Sequence, residues 1–174
     1  MNDNEDALTC LKDYISSSEP KVNKDLRSEK PNLDIQNLDN LFEYIVAKTT
    51  VYRGLPSRYI SDNLDEYQDM GYVSTSKDVT EALRFALEED PCLLVFKLKE
   101  RDKVIDVMKH LTDCNNEEEY ILPHGQKYQV INKERYSRKE TDLSFKEFEA
   151  KFQPNENMNC FESLNVFYLQ PFTE

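Results

Sequence analysis

Three short segments of the chain hold residue types that could do chemistry. They are Tyr-Arg-Gly at 52–54, Ser-Thr-Ser at 74–76 and Glu-Glu-Glu at 117–119. An arginine guanidinium is a planar fork of donors that suits phosphate oxygens, and a glycine lets backbone come close to a ligand. A carboxylate can stabilise a cation that forms during a reaction, or accept a proton. The segments therefore hold groups suited to binding a phosphate-bearing substrate and to stabilising positive charge on it.

Each segment also has a structural reading, which is the commoner one when the segment stands alone. An arginine beside a glycine is widespread, and Ser-Thr-Ser at a strand end is often a helix cap or a turn. Three consecutive glutamates in a chain with 34 acidic residues usually form a solvated face. The order of the segments and their flanks are more informative. The flanks are Gly-Tyr-Val at 71–73, Ala-Leu-Arg-Phe-Ala at 82–86 and Tyr-Ile-Leu-Pro-His-Gly at 120–125.

With this order and these flanks, the chain resembles the Arg-Ser-Glu class of ADP-ribosyltransferases from about Val51 to Val130. The resemblance implies an α+β fold with a mainly antiparallel β-sandwich core and N-terminal helices packed beside an NAD cleft. It also implies that NAD is the co-substrate, that no metal is needed, and that ADP-ribose passes to a protein side chain as nicotinamide is released.

The resemblance gives each candidate residue a role. Arg53 would hold the diphosphate of NAD and its neighbouring ribose, and Ser74 would orient the catalytic glutamate. Glu119, which directly precedes Tyr-Ile-Leu-Pro, would bind the ribose 2′-hydroxyl and stabilise the oxocarbenium ion. For Phe85 the alternative is a place in the core. The further candidates for cofactor binding are Gly54, Thr75, Ser76 and Phe85.

Glu117 is the candidate residue that would act on the acceptor, the side chain to which ADP-ribose passes. In a strand, residues 117 and 119 point to the same side and Glu118 points away. A free guanidinium is protonated, with a pKa above about 12, so a carboxylate that orients it and accepts its proton would assist its attack. Members of the class with glutamate at the first position generally modify arginine. Glu117 therefore implies an arginine acceptor.

The composition and net charge of the chain limit its domain number, its partners and its location. The chain has 174 residues and a net charge of −12, which suits one compact domain and disfavours nucleic acid as a partner. We find no apolar run long enough for a membrane span and no secretory signal at the N-terminus. We expect a monomer that works in a cytosol, the host's if it is delivered as an effector. The cysteines form no CxxC pair and are expected to be reduced thiols: Cys10, Cys92, Cys114 and Cys160.

The elements that must position the candidate residues follow from periodicity. Helical spacing or capping signals predict helices over 5–16, 34–48, 78–86 and 144–152. Residues 16–31 are interpreted as a surface connection, and 57–69 as irregular or weakly helical. Strands are predicted at 50–54, 71–76, 92–98, 104–107, 119–122, 127–131 and 164–169.

These elements predict an α+β domain with a largely antiparallel sheet. The strands at 119–122 and 127–131 flank Pro-His-Gly, as two strands joined by a turn would. We interpret the chain as a single domain over 1–174, with an N-terminal helical segment at 1–48 and a β-rich catalytic core at 49–174.

Two alternatives stay open. The chain could be an NAD glycohydrolase, in which water is the acceptor, or an acidic interaction module that kept the fold and lost catalysis. A poly-ADP-ribose polymerase fits less well, because that branch has a His-Tyr-Glu pattern and here Arg53 and Ser74 stand at the first two places.

Overall fold

The computed structural model describes residues 3–60, 64–87, 90–112 and 118–172. The helices are α1 (Asp3–Ile15), α2 (Lys21–Arg27), α3 (Leu33–Asp39), α4 (Val79–Arg84), α5 (Val107–His110) and α6 (Phe145–Phe152). Short 3₁₀ turns lie at Ser57–Tyr59 and Met158–Cys160. The strands are β1 (Glu43–Tyr44), β2 (Thr49–Pro56), β3 (Glu66–Gln68), β4 (Val73–Ser76), β5 (Pro91–Leu98), β6 (Lys103–Asp106), β7 (Glu119–Leu122), β8 (Lys127–Ser137) and β9 (Ser163–Pro171).

In the described part of the chain the strands form a nine-stranded sheet in the order β1-β6-β7-β4-β2-β5-β9-β8-β3. The neighbouring strands pair antiparallel, except that β5 and β9 are parallel. The sheet curls over itself, because Tyr67 on the edge strand β3 lies 5.8 Å, between ring centroids, from Phe96 on the central strand β5. The predicted α+β fold is confirmed, and its two layers belong to one continuous sheet.

The buried residues of the described chain form three apolar clusters. The first fills the inside of the curled sheet, and the second packs α4 and α6 on its outer face. The third joins α1, α2 and α3 to β6, β7 and Tyr72, the residue before β4. Strand β5 is covered by apolar side chains on both faces of the sheet. Leu94 and Phe96 point into the first cluster, and Leu93 and Val95 point into the second.

Two predictions about the N-terminal segment are wrong. The stretch 16–31 contains α2, whose contacts come from Val22 and Leu26. The helix predicted over 34–48 ends at Asp39, because the chain then turns and adds β1 to the sheet edge beside β6. Leu41 and Ile45 keep helical spacing with Leu38, but Ile45 packs in a different cluster from the other two.

The turn at 123–125 does not make a hairpin between the described strands on either side of it. Strand β7 pairs with β4 and β6, whereas β8 pairs with β9 and β3. The turn therefore carries the chain from one layer of the curled sheet to the other. Its Gly125 has a φ of 67°, and the Gly125 N–H donates to the carbonyl of Asp69, the residue after β3.

Within the described ranges, no helix combines the length and the apolar character needed to cross a bilayer. The division into a 1–48 segment and a 49–174 core stays a prediction.

Candidate active site

The sheet opens between β2 and β4. Strand β2 pairs with β5 along its whole length, whereas its register with β4 within the described residues is the single pair Tyr52 and Ser76. Just past this pair, Arg53 Nη1 donates a hydrogen bond of 3.2 Å to the carbonyl oxygen of Ser74. The side chain of Arg53 thus spans the opening, which brings together the first two predicted site residues.

Glu119 reaches the same place from the next strand. Strand β7 pairs antiparallel with β4, so that Glu119 lies opposite Ser76 and Ile121 lies opposite Ser74. Directly opposed residues share a face of the sheet, and residues two apart on a strand share it too. The side chains of Ser74, Ser76 and Glu119 therefore project from one face of the sheet, while the guanidinium of Arg53 bonds to the backbone of Ser74.

Helix α1 adds a residue that the sequence did not single out as part of the site. The hydroxyl of Tyr14 donates to the carbonyl of Tyr72 at 3.2 Å and lies 3.2 Å from Ser74 Oγ. Asn23 Nδ2 on α2 donates to the same hydroxyl at 3.4 Å. Helical spacing places Tyr14 in the apolar stripe of α1, so the sequence assigns it to the core. The hydroxyl of its phenol ring is the feature that could have indicated a role in the site.

Burial and the charges of Arg53 and Glu119 all influence the pKa of Tyr14. Burial raises the pKa of Tyr14, and its hydrogen bonds with Ser74 and Asn23 offset part of that rise. The positive charge of Arg53 lowers the pKa of this phenol and the negative charge of Glu119 raises it. Both charges therefore lie within electrostatic reach of the Tyr14–Ser74 hydrogen bond.

The sequence model of the ADP-ribosyltransferase exoenzyme family matches residues 2–147. The chain belongs to this family. No curated protein sequence matches it significantly.

Solved structures of bacterial proteins share the fold of this chain. C3stau2 from S. aureus, solved with NAD, has a TM-score of 0.67 at 16% identity, and the match covers 98% of this chain and 88% of that chain. Plx2a, an ADP-ribosyltransferase toxin from Paenibacillus larvae, gives 0.66 at 17%, covering 98% and 86%. An ADP-ribosyltransferase from Clostridium botulinum gives 0.64 at 11%, covering 97% and 87%.

The three hydroxyls of the Ser-Thr-Ser segment have different surroundings. Thr75 Oγ1 donates to the carbonyl of Tyr120 at 2.6 Å and so joins β4 to β7. Ser76 Oγ accepts from Asp78 N at 3.0 Å, where the chain turns into α4. The Ser74 hydroxyl is the one that meets Tyr14 beside Arg53. Contacts of Thr75 and Ser76 with NAD stay predictions.

Gly54 and Phe85 mark the α4 side of the site. A Cβ on Gly54 would lie 2.0 Å from the carbonyl oxygen of Ala82, so the glycine lets α4 pack directly on β2. Phe85 caps the end of α4 with 69% of its surface exposed, so its alternative place in the core is wrong. Cofactor contacts of both residues stay predictions.

Glu117 lies outside the described residues. Its neighbour Glu118 is exposed, and the Glu118 carbonyl accepts from Lys77 N at 3.0 Å, which extends the pairing of β4 with β7 by one bond. Across the described ranges, we find no group of three or more histidine, cysteine, aspartate or glutamate side chains placed to hold a metal ion.

Proposed function

We propose that this protein transfers ADP-ribose from NAD to an arginine side chain of an acceptor protein and releases nicotinamide. Its family and fold support NAD-dependent mono-ADP-ribosylation. The observation that supports the proposal is that Arg53 bonds to the Ser74 carbonyl while Glu119 lies on the strand paired with β4, opposite Ser76.

The groups at this opening fit the charges of NAD. The Arg53 guanidinium offers bidentate donors to a diphosphate, and its bond to the Ser74 carbonyl holds it at the opening. The solved structure of C3stau2 with NAD supports NAD as the ligand of this fold. We assign Arg53 to the diphosphate end of NAD, and Glu119 to the ribose that bears nicotinamide.

Cleavage of NAD needs an ionised carboxylate rather than a group that donates a proton. When the bond between ribose C1′ and the nicotinamide nitrogen breaks, its electron pair leaves with nicotinamide, which becomes neutral. Positive charge develops on the ribose, and the Glu119 carboxylate stabilises it. The acceptor nitrogen then forms a bond to C1′ and loses a proton. The Tyr14–Ser74 hydrogen bond would keep Ser74 in place beside this carboxylate.

Substitution of Glu119 tests the assignment. With radiolabelled NAD and a cell lysate, the wild-type chain should label proteins, and the label should be released by hydroxylamine. Glu119→Gln keeps the size of the side chain but removes the charge, so we expect labelling to fall by about 100-fold or more. Glu140→Gln, an exposed glutamate in the loop before α6, is the matched control and should label normally. Normal labelling by a folded Glu119→Gln protein would rule out the role given to Glu119.

The arginine assignment rests on Glu117, two residues before Glu119 in the sequence. A carboxylate at this position would orient a guanidinium and accept its proton. Glu117→Gln should therefore abolish transfer to the arginine analogue agmatine while NAD is still hydrolysed by water. Equal loss of both reactions would contradict this division of roles. A wild-type chain that only hydrolyses NAD would instead be a glycohydrolase.

A further inference from the structure

A cleft of about 420 Å³ lies beside the opening that holds Arg53 and Ser74. Two aromatic rings form part of its wall, and charged and amide side chains surround them. The lining includes Tyr52, Phe152, Lys77, Asp78, Glu118 and Gln153.

The register of the sheet puts this cleft on the same face as Glu119. Tyr52 pairs with Ser76, and Ser76 pairs with Glu119, so the three side chains form one row across β2, β4 and β7. Tyr52 lines the cleft at one end of this row, and Glu118, the neighbour of Glu119, lines it at the other. The lining of the cleft therefore includes the residue that precedes Glu119 in the chain and a side chain in the same row as Glu119.

The aromatic wall is held rigidly by α6. The ring of Phe152 is stacked on Phe148 at 4.5 Å between centroids and meets Tyr52 edge-on at 6.2 Å. Lys151 is fixed by Glu134, with an Nζ–Oε1 distance of 2.7 Å. Because these contacts order both rings before any ligand arrives, binding there costs little side-chain entropy.

The charged rim combines two carboxylates with one ammonium group. Glu118 is exposed, and one oxygen of Asp78 accepts from Thr80 N at 2.8 Å. The Lys77 ammonium lies 4.3 Å from the centre of the Tyr120 ring, so its charge interacts with that ring. Aromatic faces beside carboxylates are the surroundings that a guanidinium prefers, since it stacks on the ring and donates to the oxygens.

We propose that this cleft binds the arginine side chain of the acceptor protein and presents it to Glu119. The inference rests on the proposed function, and it adds Tyr52, Phe152 and Glu118 as residues that select the acceptor. Phe152 belongs to α6, which lies mostly beyond the part of the chain that the family model matches. The recognition of the acceptor would thus depend on an element near the C-terminus.

Phe152→Leu tests the aromatic wall because leucine fills space without offering an aromatic face. With agmatine as the acceptor and saturating NAD, we expect the KM for agmatine to rise about tenfold, within the range for a lost cation–π contact. The KM for NAD and the rate of NAD hydrolysis without acceptor should not change. Phe145→Leu, on the same helix and packed against the same cluster, is the matched control. An unchanged KM for agmatine, or a changed KM for NAD, would overturn the proposal.

Glu118→Gln tests the rim without disturbing the core, because this side chain is exposed. We expect the KM for agmatine to rise several-fold, while the exposed control Glu162→Gln keeps the wild-type value. If the wild type modifies agmatine and both cleft variants match it, the role of the cleft fails and the proposed function stands. If the wild type neither cleaves NAD nor modifies agmatine, the proposed function fails, and the role of the cleft with it.

Discussion

The Tyr14 hydroxyl joins α1 and α2 to the strand that carries Ser74. It is 4% exposed and lies within hydrogen-bond distance of Ser74 Oγ, the Tyr72 carbonyl and Asn23 Nδ2. Either hydroxyl of the Tyr14–Ser74 pair can donate, because the Tyr72 carbonyl also accepts from Asn23 Nδ2 at 3.0 Å. In both arrangements the Ser74 hydroxyl is held by a helix that is about 60 residues away in the chain.

Tyr14→Phe removes this hydroxyl and keeps the ring. We expect the free energy of unfolding to fall by about 1–2 kcal/mol, because buried polar groups lose their partner. We also expect kcat for NAD cleavage to fall roughly tenfold, since Ser74 is no longer held in one orientation. Urea denaturation and a nicotinamide-release assay measure the two effects. Tyr44→Phe, at an exposed tyrosine, should change neither. Wild-type kcat in a destabilised Tyr14→Phe protein would show that Tyr14 is only structural.

At the scale of elements, the packing of α4 on β2 depends on the missing side chain of Gly54. Helix α4 begins shortly after Ser76, with Asp78 as its N-cap, so a shift of α4 pulls on the end of β4. The opening that holds Arg53 and Ser74 lies beside this contact.

Gly54→Ala should therefore affect both stability and activity. Its Cβ would lie 2.0 Å from the Ala82 carbonyl oxygen, so the helix must move, and we expect a loss of about 3 kcal/mol. Gly125→Ala is the contrast: its Cβ would meet no described atom within 4 Å, but a φ of 67° costs an alanine about 1 kcal/mol. Thermal denaturation gives the order of stability, and a Gly125→Ala protein that is the less stable of the two would contradict this account.

Helix α6 is held to β8 by an ion pair between Lys151 and Glu134, and the ionisation of Glu134 affects the stability of the fold. Burial raises the pKa of Glu134, but hydrogen bonds from Lys151, Tyr136 and Tyr168 outweigh burial, and the pKa is lowered. A carboxyl group whose pKa is lower in the folded state stabilises the fold above its unfolded pKa, near about 4.3. That contribution is lost as the pH falls through the folded value.

Glu134→Gln should therefore cost stability in a way that depends on pH. We expect a loss of about 1–3 kcal/mol at pH 7, because the ion pair with Lys151 disappears. The difference from the wild type should persist at about pH 5 and shrink below about pH 4, where the wild-type carboxylate becomes protonated. Urea denaturation across this range measures it, with the exposed Glu100→Gln as the control. A difference that is constant with pH would show that Glu134 acts through shape alone.

Much of the order of helices and strands could be predicted, because it follows from local patterns of apolar and capping residues in the sequence. The continuous apolar run of β5 and the capping box of Ser144 and Glu147 at α6 are examples. Helix α2 was missed because its two turns carry few apolar residues. The pairing of β7 with β4 could not be predicted from either strand, because register depends on contacts that are distant in the chain. For the same reason, the sequence suggested Arg53, Ser74 and Glu119 as a set but left out Tyr14.

At the scale of the whole molecule, the net charge of −12 acts on everything that approaches the site. A negative surface repels anionic partners and raises the encounter rate with cationic ones, over a distance of about 8 Å at physiological salt. A basic acceptor protein experiences this field along its whole contact surface, whereas a small guanidine experiences it only at the cleft. The salt dependence of the reaction therefore separates attraction of the acceptor as a whole from binding of its arginine.

Raising the salt concentration should slow modification of a polycationic acceptor more than modification of a small one. Between about 50 mM and 300 mM NaCl, we expect kcat/KM for polyarginine to fall about tenfold, and that for agmatine to change about twofold or less. Because both acceptors share the NAD step, any effect of salt on NAD binding cancels in their ratio. Initial rates of nicotinamide release, measured with each acceptor at saturating NAD, give the ratio directly. If the two acceptors respond equally to salt, the overall charge of this protein has no part in selecting its acceptor.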